Sequence, residues 1–187
     1  MTISTLLFAQ TSDDNWLITE DALGCIILCQ NVNDADDFVV ADSSFNGDGF
    51  MYYGKYIDCN NSKILADISL SDSITVEGLN TRSGKFATSK NISVGSTLMD
   101  LVNSNKDIQI TAVMSEYDDL YLFENFKNSR IEYRLSSAVS KVLSGYTIDD
   151  REVRLLNFEG IEAKINAAGN AITVEQISVV LTGMCKN

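Results

Sequence analysis

Alternation of apolar and polar positions runs through most of the chain. Ile64, Ala66, Ile68 and Leu70 share one parity in "SKILADISL", Ile74 and Val76 in "SITVEGL", and Ile108, Ile110, Ala112 and Met114 in "DIQITAVM". A period of two sends successive side chains to opposite faces of an extended strand, so each segment predicts a half-buried strand. "TLLFA", "GCIILCQ", "DFVVA", "FMYYGKYI" and "GKFATS" add strand candidates, punctuated by Asn, Asp, Gly and Ser clusters. Two segments break the alternation. In "STLMDLVNS", Ser96 precedes Leu98, Leu101 and Val102 as an N-cap would; in "SSAVSKVLSG", Ala138, Val139, Val142 and Leu143 form one stripe that Gly145 ends. Both predict short amphipathic helices packed on a core. "SEYDDLYLFENFKNSRIEY" fits either type, as a strand through Leu120, Leu122 and Phe123 or a helix through Asp119, Leu120, Phe123 and Phe126.

The C-terminal stretch is the most regular. Ile161, Ala163 and Ile165 alternate with Glu162, Lys164 and Asn166, and "AAGNA" supplies a turn before a long final strand. In that strand Ile172 and Val174 occupy one parity and Ile177, Val179 and Leu181 the other, so the inward face switches near Glu175 and Gln176. A bulge, or a strand shared between two environments, accounts for the switch. The strand is rich in β-branched residues, has no proline and carries Glu175 as its one charge, so it lacks the usual protection of an exposed edge. It must be paired within the fold or between copies, which makes Ile172, Val174, Ile177, Val179 and Leu181 the candidate oligomer interface.

With 187 residues, 45% of them hydrophobic, and a mean hydropathy of +0.01, the expectation is one domain spanning 1–187. Its fold class is mainly β (α+β): an antiparallel β-sandwich or small barrel with one or two short packed helices. No apolar run is long enough to span a membrane, and "MTISTLLFAQ" lacks the features of a secretory signal, so the chain reads as made in the cytoplasm without membrane contact. The net charge of −12, with its 14 basic residues scattered, argues against direct nucleic-acid recognition. The sequence contains no histidine, which removes Ser-His-Asp and Cys-His pairs, His-ligated zinc and the usual general base near neutral pH. No catalytic, cofactor-binding or metal-binding residue is therefore assigned. Cys25, Cys29, Cys59 and Cys185 lie in apolar or unpaired settings and are expected as reduced, buried thiols.

Asp42, Ser44, Asn46 and Gly47 match positions 1, 3, 5 and 6 of a calcium loop, but Tyr53 stands where the bidentate Glu belongs, and the flanks are strand-like. A hairpin with its loop across Ser43 to Gly49 explains the same letters through Asn46-Gly47 and Asp48-Gly49. The nearby aromatics Phe50, Tyr52, Tyr53 and Tyr56, with Trp16, offer stacking surfaces for sugars, with Asp48 or Asn46 as partners for hydroxyls. Cross-strand pairing in a sheet is the plainer role for them. Asp36 with Asp37, and Asp118 with Asp119, are carboxylate pairs, but adjacent strand residues point to opposite faces and cannot share a substrate.

The ending "GIEAKINAAGNAITVEQISVVLTG" resembles the C-terminal part of bacteriophage tail-tube and related virion proteins. The resemblance covers about the last fifth of the chain and transfers no functional residue. It implies a sandwich or small barrel assembled into rings through strand edges, with the acidic surface suited to letting DNA slide past. The leading expectation is a non-enzymatic structural protein of a virion (tail tube, connector or decoration) that is made in the host cytoplasm and partners itself and other virion proteins. The alternative is a β-sandwich binding module that recognises carbohydrate or a protein partner through aromatic residues.

Overall fold

The period-two segments pair into two sheets. The computed structural model describes residues 16–32, 40–47, 50–69, 71–72, 74–104, 109–112, 120–123, 129–138, 154–156, 167–168 and 171–185, with backbone alone for 40–47, 50–53, 109–112, 120–123 and 154–156. In chain order the strands are β1 (Leu17–Ile18), β2 (Ala22–Leu23), β3 (Ile26–Ile27), β4 (Val40–Gly47), β5 (Phe50–Cys59), β6 (Ser62–Ile68), β7 (Val76–Thr81), β8 (Ala87–Thr88), β9 (Gln109–Ala112), β10 (Leu120–Phe123), β11 (Ile131–Leu135), β12 (Arg154–Leu156) and β13 (Val174–Val180). Among the described residues the one α-helix of more than a few residues is α1 (Leu98–Ser104). The chain is mainly β.

Nine strands form one antiparallel sheet in the order β12-β9-β10-β11-β13-β7-β6-β5-β4. Four very short strands form the second, β3-β2-β1-β8, in which β1 and β8 run parallel. Burial follows sequence parity on the large sheet. Ile64, Ala66 and Ile68 of β6, Leu79 of β7, Ile131, Tyr133 and Leu135 of β11, and Ile177 and Val179 of β13 are all buried. They join one core with Ile18, Leu23 and Ile26 of the small sheet, Phe86, and Leu98 and Leu101 of α1. Single inward-facing stripes from two sheets and a helix thus meet in a common interior.

The inward face does switch in the last strand, and a bulge causes it. Arg134 pairs with Gln176 but the next residue, Leu135, pairs with Val174, leaving Glu175 as the extra residue. The bulge returns Val174, Ile177 and Val179 to the same core, so the strand has one environment along its length. A second register shift, between Asp67 and Ile68 against β7, leaves Glu77 unpaired in the same way.

The candidate interface is corrected by this topology. β13 is hydrogen-bonded to β11 on one side and β7 on the other, so it is an interior strand of its own sheet. Ile172, Val174, Ile177 and Val179 are buried and Leu181 packs against the same core. The strand needs no edge protection because this chain pairs it on both sides.

The cysteines also depart from expectation. Cys25 is bonded to Cys59 and Cys29 to Cys185, with Cα separations of 6.0 and 5.5 Å. The first ties the small sheet to the end of β5; the second fixes the C-terminal tail to the turn after β3. Separations of 34 and 156 residues explain why neighbouring sequence gave no hint of the pairing.

The calcium-like segment is extended. Asp42, Ser44 and Asn46 lie in the β4 ladder opposite Lys55, Tyr53 and Met51, and Gly47 pairs with Phe50. The segment is a hairpin, tighter than expected, because its ladder runs through Ser43 to Gly47 and leaves two residues between the strands. An EF-hand loop curls its ligands round one centre, which a laddered strand cannot do. α1 begins one residue later than the sequence implies: Thr97 is the N-cap, its Oγ1 accepting from the Asp100 N–H at 3.2 Å while the Asp100 carboxylate accepts from the Thr97 N–H at 2.8 Å. This reciprocal pair is a capping box with Asp in place of Glu. The helix expected from Ser136 onward lies outside the described residues beyond Ala138, as does the alternation from Ile161 to Ile165.

Candidate ligand groove

The outer face of the large sheet is polar where its inner face is apolar, and the ladder sets the order of its side chains. Leu65 stands between Tyr56 of β5 and Asn80 of β7, and Asn80 pairs onward with Ser178 of β13, which pairs with Glu132 of β11. One outward step along the strands, Lys63, Arg82, Gln176 and Arg134 form a parallel row. Gly78 lies beside Asp67 in this surface, and a Cβ on it would come within 2.6 Å of the Asp67 Oδ2. The bare backbone there lets the Asp67 side chain lean across β7 toward Asn80.

A hydrogen-bond network joins these residues. Asn80 Nδ2 donates to Asp67 Oδ2 at 2.8 Å, and Asn80 Oδ1 accepts from Ser178 Oγ at 2.6 Å and Gln176 Nε2 at 3.2 Å. Arg82 Nε donates to Gln176 Oε1 at 3.2 Å. Each amide is thereby fixed in orientation, which preorganises the surface. Lys63 Nζ lies over the Tyr56 ring, 5.8 Å from its centroid. Together Tyr56, Lys63, Leu65, Asn80, Thr81, Arg82 and Gln176 line a groove of about 310 Å³, at the small end of the range for ligand sites.

Two carboxylates of this face are perturbed. Desolvation raises the pKa of Asp67, outweighing the Asn80 hydrogen bond that lowers it, although part of the side chain reaches solvent. Burial alone raises that of Glu132. They lie on β6 and β11 with β7 and β13 between them. Three strand spacings amount to roughly 14 Å, beyond the roughly 5 to 10 Å over which paired carboxylates act on one glycosidic bond.

Of the aromatics singled out from sequence, Tyr56 lines the groove. Trp16 packs against Phe86 with ring centroids 5.3 Å apart and belongs to the core margin. Phe50, Tyr52 and Tyr53 lie in the first four residues of β5 and Asn46 in β4, and of these stretches the backbone alone is described. Asp48 and the pairs Asp36–Asp37 and Asp118–Asp119 lie outside the described residues. Lys63, Asn80, Arg82 and Gln176 escaped sequence reasoning: they are isolated polar letters on different strands, and only strand order brings them together. Among the described residues no three His, Cys, Asp or Glu side chains are grouped to hold a metal ion, and no helix is long and apolar enough to cross a membrane.

No protein-family model matches the sequence, and no curated protein matches it. Among solved structures the chain is similar to the crystal structure of the uncharacterized protein yfeY from Escherichia coli, at 10% identity over 86% of this chain and 97% of that one, with a TM-score of 0.49.

Proposed function

We propose that the protein is a non-enzymatic binding module whose groove on the outer sheet face takes an oligosaccharide. The observation that supports this is the groove's composition. Small-molecule sites combine an apolar or aromatic surface with a few fixed polar groups. Tyr56 and Leu65 supply the first, and Asn80 and Gln176 the second, with amides that both donate and accept as sugar hydroxyls require. The distance between Asp67 and Glu132 favours binding over hydrolysis. Two disulfides favour an oxidising compartment over the host cytoplasm, because such bonds form and persist there.

Titration calorimetry against a panel of short oligosaccharides tests the reading. A saccharide should bind, and Tyr56→Ala should weaken it by about tenfold, the loss of one stacking face, while leaving the melting temperature within a degree or two. An unchanged affinity in a folded Tyr56→Ala variant would remove the groove as the site.

Self-assembly as a virion component is the second reading, and one observation bears on how it would work. β4 and β12 are the terminal strands of the nine-stranded order, so association through strand edges would use them and not β13. Light scattering at high micromolar concentration separates the two: a monomer leaves the binding module, and rings or filaments favour assembly.

A further inference from the structure

We infer that the ligand of this groove is an acidic oligosaccharide carrying carboxylates, such as a uronate chain. The inference rests on the binding-module reading and specifies its ligand class. A protein of net charge −12 has few cations to place, yet Lys63 and Arg82 both line the groove. Among the described residues neither is in an ion pair. Arg82 Nε is held by the neutral Gln176 amide, and Lys63 rests over the Tyr56 ring. The described ion pair is elsewhere, between Arg130 and Asp21. Asp58 stands opposite Lys63 in the β5–β6 ladder without forming an ion pair with it, and Asp67 directs its carboxylate to Asn80.

The guanidinium is the informative group. Gln176 occupies its Nε and fixes its plane, which leaves the terminal nitrogens to offer the parallel donors that match a carboxylate. Lys63 and Arg82 thus set two positive charges in one groove on adjacent strands, with Tyr56 beside them as a stacking surface and Asn80 and Gln176 for hydroxyls. A saccharide chain that carries carboxylates complements this pair of cations; a neutral sugar uses only the aromatic and amide parts of the groove.

The test is titration calorimetry of the full chain with a short oligogalacturonate and with the neutral oligosaccharide of the same length and linkage. The acidic chain should bind about tenfold more tightly or better, from charge-assisted hydrogen bonds. Its advantage should shrink as salt rises from about 0.05 to about 0.5 M, over which the screening length falls severalfold. Arg82→Gln and Lys63→Gln, both exposed, should each lose most of that advantage at unchanged melting temperature. Lys90→Gln removes a charge from an exposed turn and controls for net charge; it should keep the advantage. Equal binding of the acidic and neutral chains, or a loss in Lys90→Gln as large as in Arg82→Gln, would overturn the acidic class while leaving a saccharide module standing. Binding of neither chain at any salt would overturn the acidic class, and the absence of binding across the wider panel would remove the module itself.

Discussion

Gly78 shows how one atom organises the groove face. A Cβ there would sit 2.6 Å from Asp67 Oδ2 and 3.2 Å from its Cβ, so a side chain at 78 must push Asp67 away from Asn80. Gly78→Ala should cost about 1 to 2 kcal/mol in urea unfolding, as overpacking of a fitted surface does. Adding Asp67→Ala to the same chain should recover part of the loss, because the clashing group is gone. Glu132 gives a prediction in pH. Its pKa is raised by burial, so the folded state holds the proton more tightly than the unfolded one. The contribution to stability is therefore present below the ordinary carboxylate range and is lost as pH rises through the raised value. Glu132→Gln should raise the melting temperature at pH 7, and that gain should vanish near pH 3 where both chains are neutral at this position. A gain of equal size at both pH values would mean that packing, not charge, is responsible.

Two elements illustrate how local and long-range forces divide the work. α1 is seven residues long, too short to persist without help, and holds through its capping box and the burial of Leu98 and Leu101. Thr97→Ala removes the cap and should destabilise the fold by about 1 kcal/mol, read from the shift in urea midpoint. β13 depends on the interior instead. Its bulge at Glu175 reconciles two runs of opposite parity, and both runs end in the same core. Val179→Lys would bury a charge with no partner and should abolish the native state, at a cost of at least about 3 kcal/mol. Circular dichroism would show this as lost structure at every protein concentration. A folded Val179→Lys variant deficient in association alone would restore β13 as an interface.

At the scale of the whole molecule, two sheets and a helix share one core, and two disulfides close loops of 34 and 156 residues. Loop-closure entropy alone assigns about 4 and about 5 kcal/mol to such crosslinks, values that serve as upper estimates. Thiol titration of the denatured, unreduced protein should find no free thiols, and peptide mapping should join Cys25 to Cys59 and Cys29 to Cys185. Reduction should lower the melting temperature by several degrees or more. Four free thiols in protein from an oxidising compartment would count against both bonds and against the compartment assigned from them.

The sequence by itself determined the strand-rich class, the position of most strands, the short helix at Leu98 and a switch of inward face near Glu175, for which a bulge was one of two explanations. Each of these is a local matter: side-chain period, capping chemistry and turn residues act within a few positions, and a parity switch is visible wherever it occurs. Even the ambiguous segment holds a strand, Leu120–Phe123, but what selected it was pairing with β9 and β11 and not its own letters. Tertiary structure alone decided which strands are neighbours, and three outcomes follow from that. β13 became interior because β7 and β11 flank it, the cysteines met in pairs because distant turns converge on the core margin, and Lys63, Arg82 and Gln176 became one groove because β6, β7 and β13 are adjacent. None of these is written into any stretch of a dozen residues, since strand order is fixed by the joint burial of many inward faces and not by the pattern of any one of them.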